Sequence, residues 1–156
     1  MSWEVIPIKI STRGRYGLEA ILDIAIHQND GPVSLKGIAE RQGISDKYLE
    51  QLFIILKKHK IIKSTRGAQG GYMLAKASKE ITVKDILDIL EGPLSPVSCI
   101  LDEQSCDRIE YCVTKKLWKR IMDELNAIAE NTTIADLIAC YEELDSGMRE
   151  SLQYYI

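Results

Sequence analysis

Residues Ser34–Phe53 read SLKGIAERQGISDKYLEQLF. Ser34 stands where a hydroxyl caps a short helix over Leu35–Arg41. Gly43 stands where that helix ends, because glycine takes the left-handed backbone of a C′ position without a Cβ penalty. Ser45 caps a second helix, which runs to about His59 and buries Leu49, Leu52, Phe53 and Leu56 at three- and four-residue spacings. Two short helices joined by a tight glycine-containing turn, here Gln42 to Ser45, are the pattern of a helix-turn-helix. Helical hairpins of other kinds share that pattern, so the flanking segments decide.

Downstream, residues 61–75 read IIKSTRGAQGGYMLA. Ile61–Thr65 and Gly71–Leu74 are strand-like, and Gly67, Gly70 and Gly71 permit a tight connection between them. A β-hairpin directly after a recognition helix is a wing. Arg66 falls at its tip, where a cation can enter a narrow minor groove; a plain hairpin with a solvated arginine is the alternative. Upstream, residues 12–28 form a helix, with Tyr16, Ala20, Ile21, Ile24 and Ala25 near the 3.6-residue period, ended by Asp30-Gly31-Pro32.

Beyond the wing, Thr82 and Asp85 open another helix as a capping box, closed by Gly92-Pro93. Residues 93–112 look irregular. A long helix follows from about Thr114 to Glu130, striped by Leu117, Trp118, Ile121, Met122, Leu125, Ile128 and Ala129. In a monomer that stripe either packs back on its own domain or stays exposed; a second copy would bury it and set two recognition helices about one DNA turn apart. Thr133 with Asp136 caps a last short helix containing Cys140, and Asp145–Ile156 form a tail. The expected fold is mainly α: a winged helix-turn-helix with a small β-hairpin wing and a long C-terminal dimerisation helix. The divisions are an N-terminal extension (1–8), the DNA-binding domain (9–92), a cysteine loop (93–113), dimerisation helices (114–144) and the tail (145–156).

The 156 residues are 46% apolar and 28% charged, with a net charge of −3. That total conceals a split. From Lys9 to Glu80 there are 13 Lys/Arg and 7 Asp/Glu, a net of +6; from Ile81 to Ile156 there are 7 and 15, a net of −8. The asymmetry suggests a basic module that meets a polyanion, although surface charges also cluster without a partner. No apolar run approaches the ~20 residues of a membrane span. The start, MSWEVIPIKIS, lacks the features of a signal peptide, so a cytoplasmic location with no membrane partner is expected. No Ser/His/Asp set, phosphate loop or carboxylate pair stands out, which argues against an enzyme.

Of four cysteines, Cys99, Cys106 and Cys112 are spaced C-x6-C-x5-C. Thiolates suit zinc or iron–sulfur clusters, and the spacing departs from the C-x2-C zinc knuckle. Three unligated thiols remain the alternative. An iron–sulfur electron carrier finds little support, since His27 and His59 lie in helices far along the sequence from the cysteines.

KISTRGRYGLEA (Lys9–Ala20), the helix-turn-helix segment, and STRGAQGGYML (Ser64–Leu74) together resemble the Rrf-two family of bacterial transcription regulators, from about Lys9 to the C-terminus. The resemblance implies a homodimer on double-stranded DNA. It places Ser45, Tyr48, Glu50 and Gln51 on bases and phosphates and Arg66 in the minor groove. Lys9, Arg13 and Arg15, with Lys57, Lys58 and Lys60, would meet phosphates or be merely solvated. It also implies a two-iron, two-sulfur (2Fe-2S) cluster on Cys99, Cys106 and Cys112. Cluster-binding members place a histidine three residues after the third cysteine, where this chain has Lys115. Related sensors draw a ligand from the first helix of the partner subunit, at positions matching Arg15 and Glu19. Glu19 is therefore the expected fourth ligand, with Cys140 a second candidate. Ordering the loop around a cluster would fix the angle between the DNA-binding domain and the dimer axis.

LEGPLSPV (Leu90–Val97) and the terminal Tyr-Ile instead resemble the branch of the same family that represses cysteine metabolism. That branch lacks the cysteine loop and takes its signal from cysteine synthase. On that resemblance Tyr155 and Ile156 would anchor cysteine synthase; a frayed tail or a segment packed on the dimer is the alternative.

Overall fold

The computed structural model describes residues 10–102 and 111–153, with 148–153 described as backbone only. Among these residues, six α-helices and one two-stranded antiparallel sheet follow in the order α1 (Thr12–His27), α2 (Leu35–Gln42), α3 (Asp46–Lys58), β1 (Ile62–Thr65), β2 (Gly71–Leu74), α4 (Val83–Leu90), α5 (Lys115–Asn131) and α6 (Ile134–Gln153). This is the expected mainly helical winged helix-turn-helix.

The short-range signals act as read. Ser11, Ser34, Ser45 and Thr82 each accept a hydrogen bond from a backbone N–H in the first turn of α1, α2, α3 and α4. This satisfies donors that a helix start leaves orphaned. Gly43 takes φ +64°, and the N–H of Ile44 donates to the Ala39 carbonyl at 3.1 Å, closing α2 and turning the chain into α3. Leu49, Leu52, Phe53 and Leu56 of α3 are buried against Ala20, Ile21 and Ile24 of α1 and Ile86 and Leu90 of α4 in one core.

The wing pairs Ile62 with Leu74 through Thr65 with Gly71. Val33, just before α2, adds a bridge to Tyr72 through hydrogen bonds of 2.8 and 2.9 Å. A Cβ at Gly71 would collide with the Val33 carbonyl, so this approach requires glycine. Phe53 and Tyr72 meet edge to face at 4.6 Å, which fixes the wing onto α3.

Asp23 is 3% exposed and is the buried charged residue among those described. Arg41 Nε donates to both of its carboxylate oxygens, at 2.9 and 3.2 Å, Arg41 Nη2 donates at 2.6 Å, and Gln42 Nε2 donates at 3.0 Å. α1 is thereby tied to the last turn of α2, directly before the turn that aims α3.

The C-terminal part differs from expectation in one respect. The final helix is not short: α6 spans 20 residues and runs through the stretch expected to be a tail from Asp145. Ser146-Gly147 has the composition of a break, but Ser146 bonds back to the Glu142 carbonyl at 2.8 Å and the helix continues. The junction of α5 and α6 is pinned to the core, with Val83 N–H donating to Thr132 and Ile134 N–H to Ile81. Ile134 is fully buried.

Candidate nucleic-acid interface

One face of α3 is in the core and the other is exposed. Asp46, Lys47, Glu50, Gln51, Ile54, Lys57 and Lys58 form the outer face. Glu50 and Gln51 point outward as the sequence predicts. Ile54, 67% exposed, shares that face one turn further on and is an addition to the expected set. An apolar residue on an otherwise polar recognition face is the sequence signal for it. Carboxylate, amide and branched alkyl groups on one helix face can contact a cytosine amino group, an adenine edge and a thymine methyl.

The starts of α1 and α3 converge on a shallow groove lined by Thr12, Tyr16, Gly43, Ile44, Ser45 and Tyr48. Tyr16 and Tyr48 meet edge to face at 6.1 Å, and the Arg15 guanidinium sits 4.8 Å above the Tyr16 ring. The predicted residues Arg15, Ser45 and Tyr48 thus lie together, with Arg13 exposed on the first turn of α1. Two helix starts, the hydroxyls of Thr12, Tyr16, Ser45 and Tyr48, and the Arg15 cation make this edge suited to phosphate oxygens. Arg66 is exposed in the connection between β1 and β2. Lys9 lies outside the described residues.

Two of the loop cysteines can be placed. Cys99 is half-buried in a 3₁₀ turn, Ser98–Ile100, that packs against α5; Cys112 is half-buried just before α5 begins. Cys106 lies outside the described residues. The Trp118 indole N–H donates to Thr114 Oγ1 at 3.1 Å, and Cys112 Sγ lies 3.3 Å from the same oxygen. With the indole donating to that oxygen, the hydroxyl proton is free to point at sulfur. Its hydrogen bond is the main cause that holds the Cys112 thiol below the ordinary thiol range, and the nearby Lys115 adds to it. A thiol biased toward thiolate is what a cluster or zinc ligand must supply, and Cys112 fits that role. Among the described residues no set of three or more His, Cys, Asp or Glu side chains is gathered. Glu19 lies partly exposed on α1, 4.0 Å from Arg15 within the same helix. Cys140 is exposed on α6, and Tyr155 and Ile156 lie outside the described residues.

A link between these regions is invisible in the sequence. Glu91 closes α4 at the entrance to the cysteine segment, and its carboxylate accepts from the Ser11 hydroxyl at 2.9 Å. Ser11 is the N-cap of α1. A Cβ at Gly14, one turn into α1, would collide with the Glu91 carboxylate. At the segment's other anchor, Asn126 of α5 donates to the Leu94 carbonyl at 3.0 Å and accepts from Lys84 of α4 at 3.0 Å.

The apolar stripe of α5 is partly uncovered. Leu117 is 52% and Ile128 66% exposed, Trp118, Ile121, Met122 and Leu125 are half-buried, and Ala129 is the helix's one buried residue. No helix among the described residues is long and apolar enough to cross a membrane.

Comparison with known proteins agrees with this arrangement. The model of the family described as Rrf2, iron-dependent transcriptional regulator, matches residues 10–140. The HTH-type transcriptional regulator CymR of Bacillus subtilis (strain 168) is 42% identical over 149 residues, covering 96% of this chain and 100% of that one. The solved structure of CymR, described as the global cysteine regulator of B. subtilis, superposes with a TM-score of 0.71 at 43% identity, over 84% of this chain and 96% of that one. The structure of T. potens IscR gives a TM-score of 0.73 at 43% identity, over 87% and 90%. The chain belongs to the Rrf2 family of transcriptional regulators.

Proposed function

We propose that this chain is a cytoplasmic homodimeric repressor that binds double-stranded DNA and whose affinity is set at a 2Fe-2S cluster. Cys99, Cys106 and Cys112 hold the cluster, with Glu19 of a second copy as fourth ligand. The observation that carries the DNA-binding part is the two-sided α3, its inner face closed into the core and its outer face a row of base-reading groups between the phosphate groove and the wing. The partly uncovered α5 stripe, with Leu117 and Ile128 exposed, supports the dimer, since exposed apolar surface gains free energy by pairing. The biased thiol of Cys112, and the description of the family as iron-dependent, support the metal.

The cluster supplies a centre that responds to oxidants and to iron supply. The chain's own residues carry the response. The cysteine segment starts at Glu91, whose carboxylate caps back onto Ser11. Ser11 starts α1, and α1 carries Arg13, Arg15 and Tyr16 into the phosphate groove beside Tyr48. Ordering or loosening residues 93–112 acts on Glu91 first and on the DNA-facing edge of α1 next.

Anaerobic purification followed by iron, sulfide and absorbance assays tests the cluster: about two irons and two sulfides per chain are expected, lost in Cys→Ser variants at 99, 106 or 112. Iron-free protein overturns it. An unchanged cluster spectrum in Glu19→Ala overturns the fourth ligand.

A second reading is favoured by the complete coverage of CymR, described as a global cysteine regulator. There the same DNA-binding fold, without a working cluster, answers to cysteine supply through cysteine synthase held by Tyr155 and Ile156. Deleting those two residues should abolish binding to cysteine synthase, and unchanged affinity sinks that reading.

A further inference from the structure

At the end of α3 remote from Ser45, four lysines line one depression. Lys57 leaves the last turn of α3, Lys60 the turn after it, Lys63 strand β1 and Lys76 the chain beyond β2, with Ser64 between them. All four are exposed. Elsewhere Lys36, Lys84 and Lys119 each pair with an acid one helical turn on. Around this depression, among the described residues, no carboxylate comes within ion-pair distance of any of the four. The polar contact within the group is Lys57 Nζ to Ser64 Oγ at 3.4 Å.

Lys60 adds an independent observation. Its φ is +59°, the one positive value at a non-glycine residue among those described. It closes α3 as Gly43 closes α2: Ile61 N–H donates to the Leu56 carbonyl and Lys60 N–H to the Lys57 carbonyl, both at 3.0 Å. Glycine holds that conformation without strain and lysine does not. The chain therefore carries a cation where the backbone alone favours none.

We propose that Lys63 and Lys76 join Lys57 and Lys60, which the resemblance already sets toward phosphates, in one patch at the base of the wing that grips the DNA backbone beside the half-site read by α3. The proposal rests on the DNA-binding reading above. The 13 residues of α3 set the patch about 20 Å from the groove at Ser45. Measured along the duplex axis, that spacing corresponds to roughly six base-pair steps. The depression encloses about 450 Å³ and is open to solvent, which suits a polymer crossing it rather than a small molecule sealed inside. Lysines are compact point charges without the planar fork that reads base edges, so the contact positions DNA and carries no sequence information.

A salt titration of binding to a mixed-sequence duplex of about 30 base pairs tests this, with wild-type dimer, the double variant Lys63→Gln/Lys76→Gln, and Lys60→Gly. The slope of log K against log salt should fall in the double variant by about 0.9 for each phosphate that is no longer neutralised. Lys60→Gly should weaken DNA binding while its thermal midpoint stays level or rises, a combination that a merely structural role for Lys60 does not produce. Wild-type slope and affinity in both variants would overturn the patch and leave DNA binding by α3 standing. Failure of the wild-type protein to bind any duplex would overturn both. Self-association without DNA that disappears in the double variant, with an unchanged DNA slope, would assign the patch to the acidic half of another copy and overturn the proposal.

Discussion

Replacing Arg41 should destabilise the protein more than replacing Asp23, although the two form one ion pair. The Asp23 side chain is 2% exposed and the Arg41 side chain 39%. In Arg41→Ala the carboxylate stays buried and keeps only the Gln42 amide at 3.0 Å and His27 Nδ1 at 3.5 Å. Leaving a buried charge without its partner costs about 3–5 kcal/mol. Those remaining contacts and the partly solvated guanidinium place this case near the lower end, about 3 kcal/mol. In Asp23→Ala the guanidinium turns to water and no charge is stranded, so the loss approaches that of charged hydrogen bonds alone, about 1.5 kcal/mol. Each kcal/mol moves the melting midpoint of a chain this size by about 2–4 °C. Thermal unfolding followed by circular dichroism should therefore show falls of about 6–12 °C for Arg41→Ala and about 3–6 °C for Asp23→Ala. The double variant should lie near Asp23→Ala rather than at the sum, because the stranded charge is gone. Equal single-variant losses, or additivity, would refute the account of this pair as a buried carboxylate held by a solvated base.

Charge placed on α5 by Leu117→Glu with Ile128→Glu should shift the dimer toward monomer in sedimentation equilibrium without unfolding α1–α4; an unchanged mass would mean the stripe is not the dimer seam. Glu50→Ala should relax selectivity at one base-pair position of a DNA site selected from a random pool, by about 1–3 kcal/mol between the preferred and a competing base, while leaving the salt slope intact; unchanged selectivity would remove Glu50 from base reading. Asp136 is held below the usual carboxylate range chiefly by its hydrogen bond from the Thr133 hydroxyl. A depressed folded-state value stabilises above the ordinary aspartate range and fades as pH falls through the depressed value. The melting midpoint of wild type should therefore exceed that of Asp136→Asn at neutral pH, and the gap should close in acid; a gap that persists or widens in acid would reject the assignment.

The parts of the fold that the sequence announces are those built from local chemistry. Ser34, Ser45 and Thr82 cap helices because a hydroxyl reaches a backbone N–H three residues on, and Gly43 turns the chain because of its own backbone freedom. The stripe of α3 and the wing glycines act over the same short range. What stays hidden depends on contacts across the fold. Asp23 meets Arg41 across 18 positions and Glu91 meets Ser11 across 80. Lys60 takes a left-handed backbone with no glycine to announce it, and Lys63 and Lys76 join Lys57 only once the hairpin has folded. The length of α6 escapes a reading by composition because Gly147 has the character of a break. At the candidate site, Arg15, Ser45 and Tyr48 are legible from type and position, and Ile54 from its apolar place on a polar face; Tyr16 in the groove and the Thr114 hydroxyl at Cys112 need the packed structure.

If the state of the cysteine segment sets DNA affinity, one binding titration in two forms tests it most directly. A DNA site selected from a random pool is titrated under anaerobic conditions with cluster-loaded and with cluster-free protein, at one salt concentration, with iron and sulfide measured on the same samples. About two irons and two sulfides per loaded chain are expected, with affinities that differ between the two forms and a difference reduced in Glu91→Gln. Loaded and cluster-free protein that bind the selected site equally would contradict it.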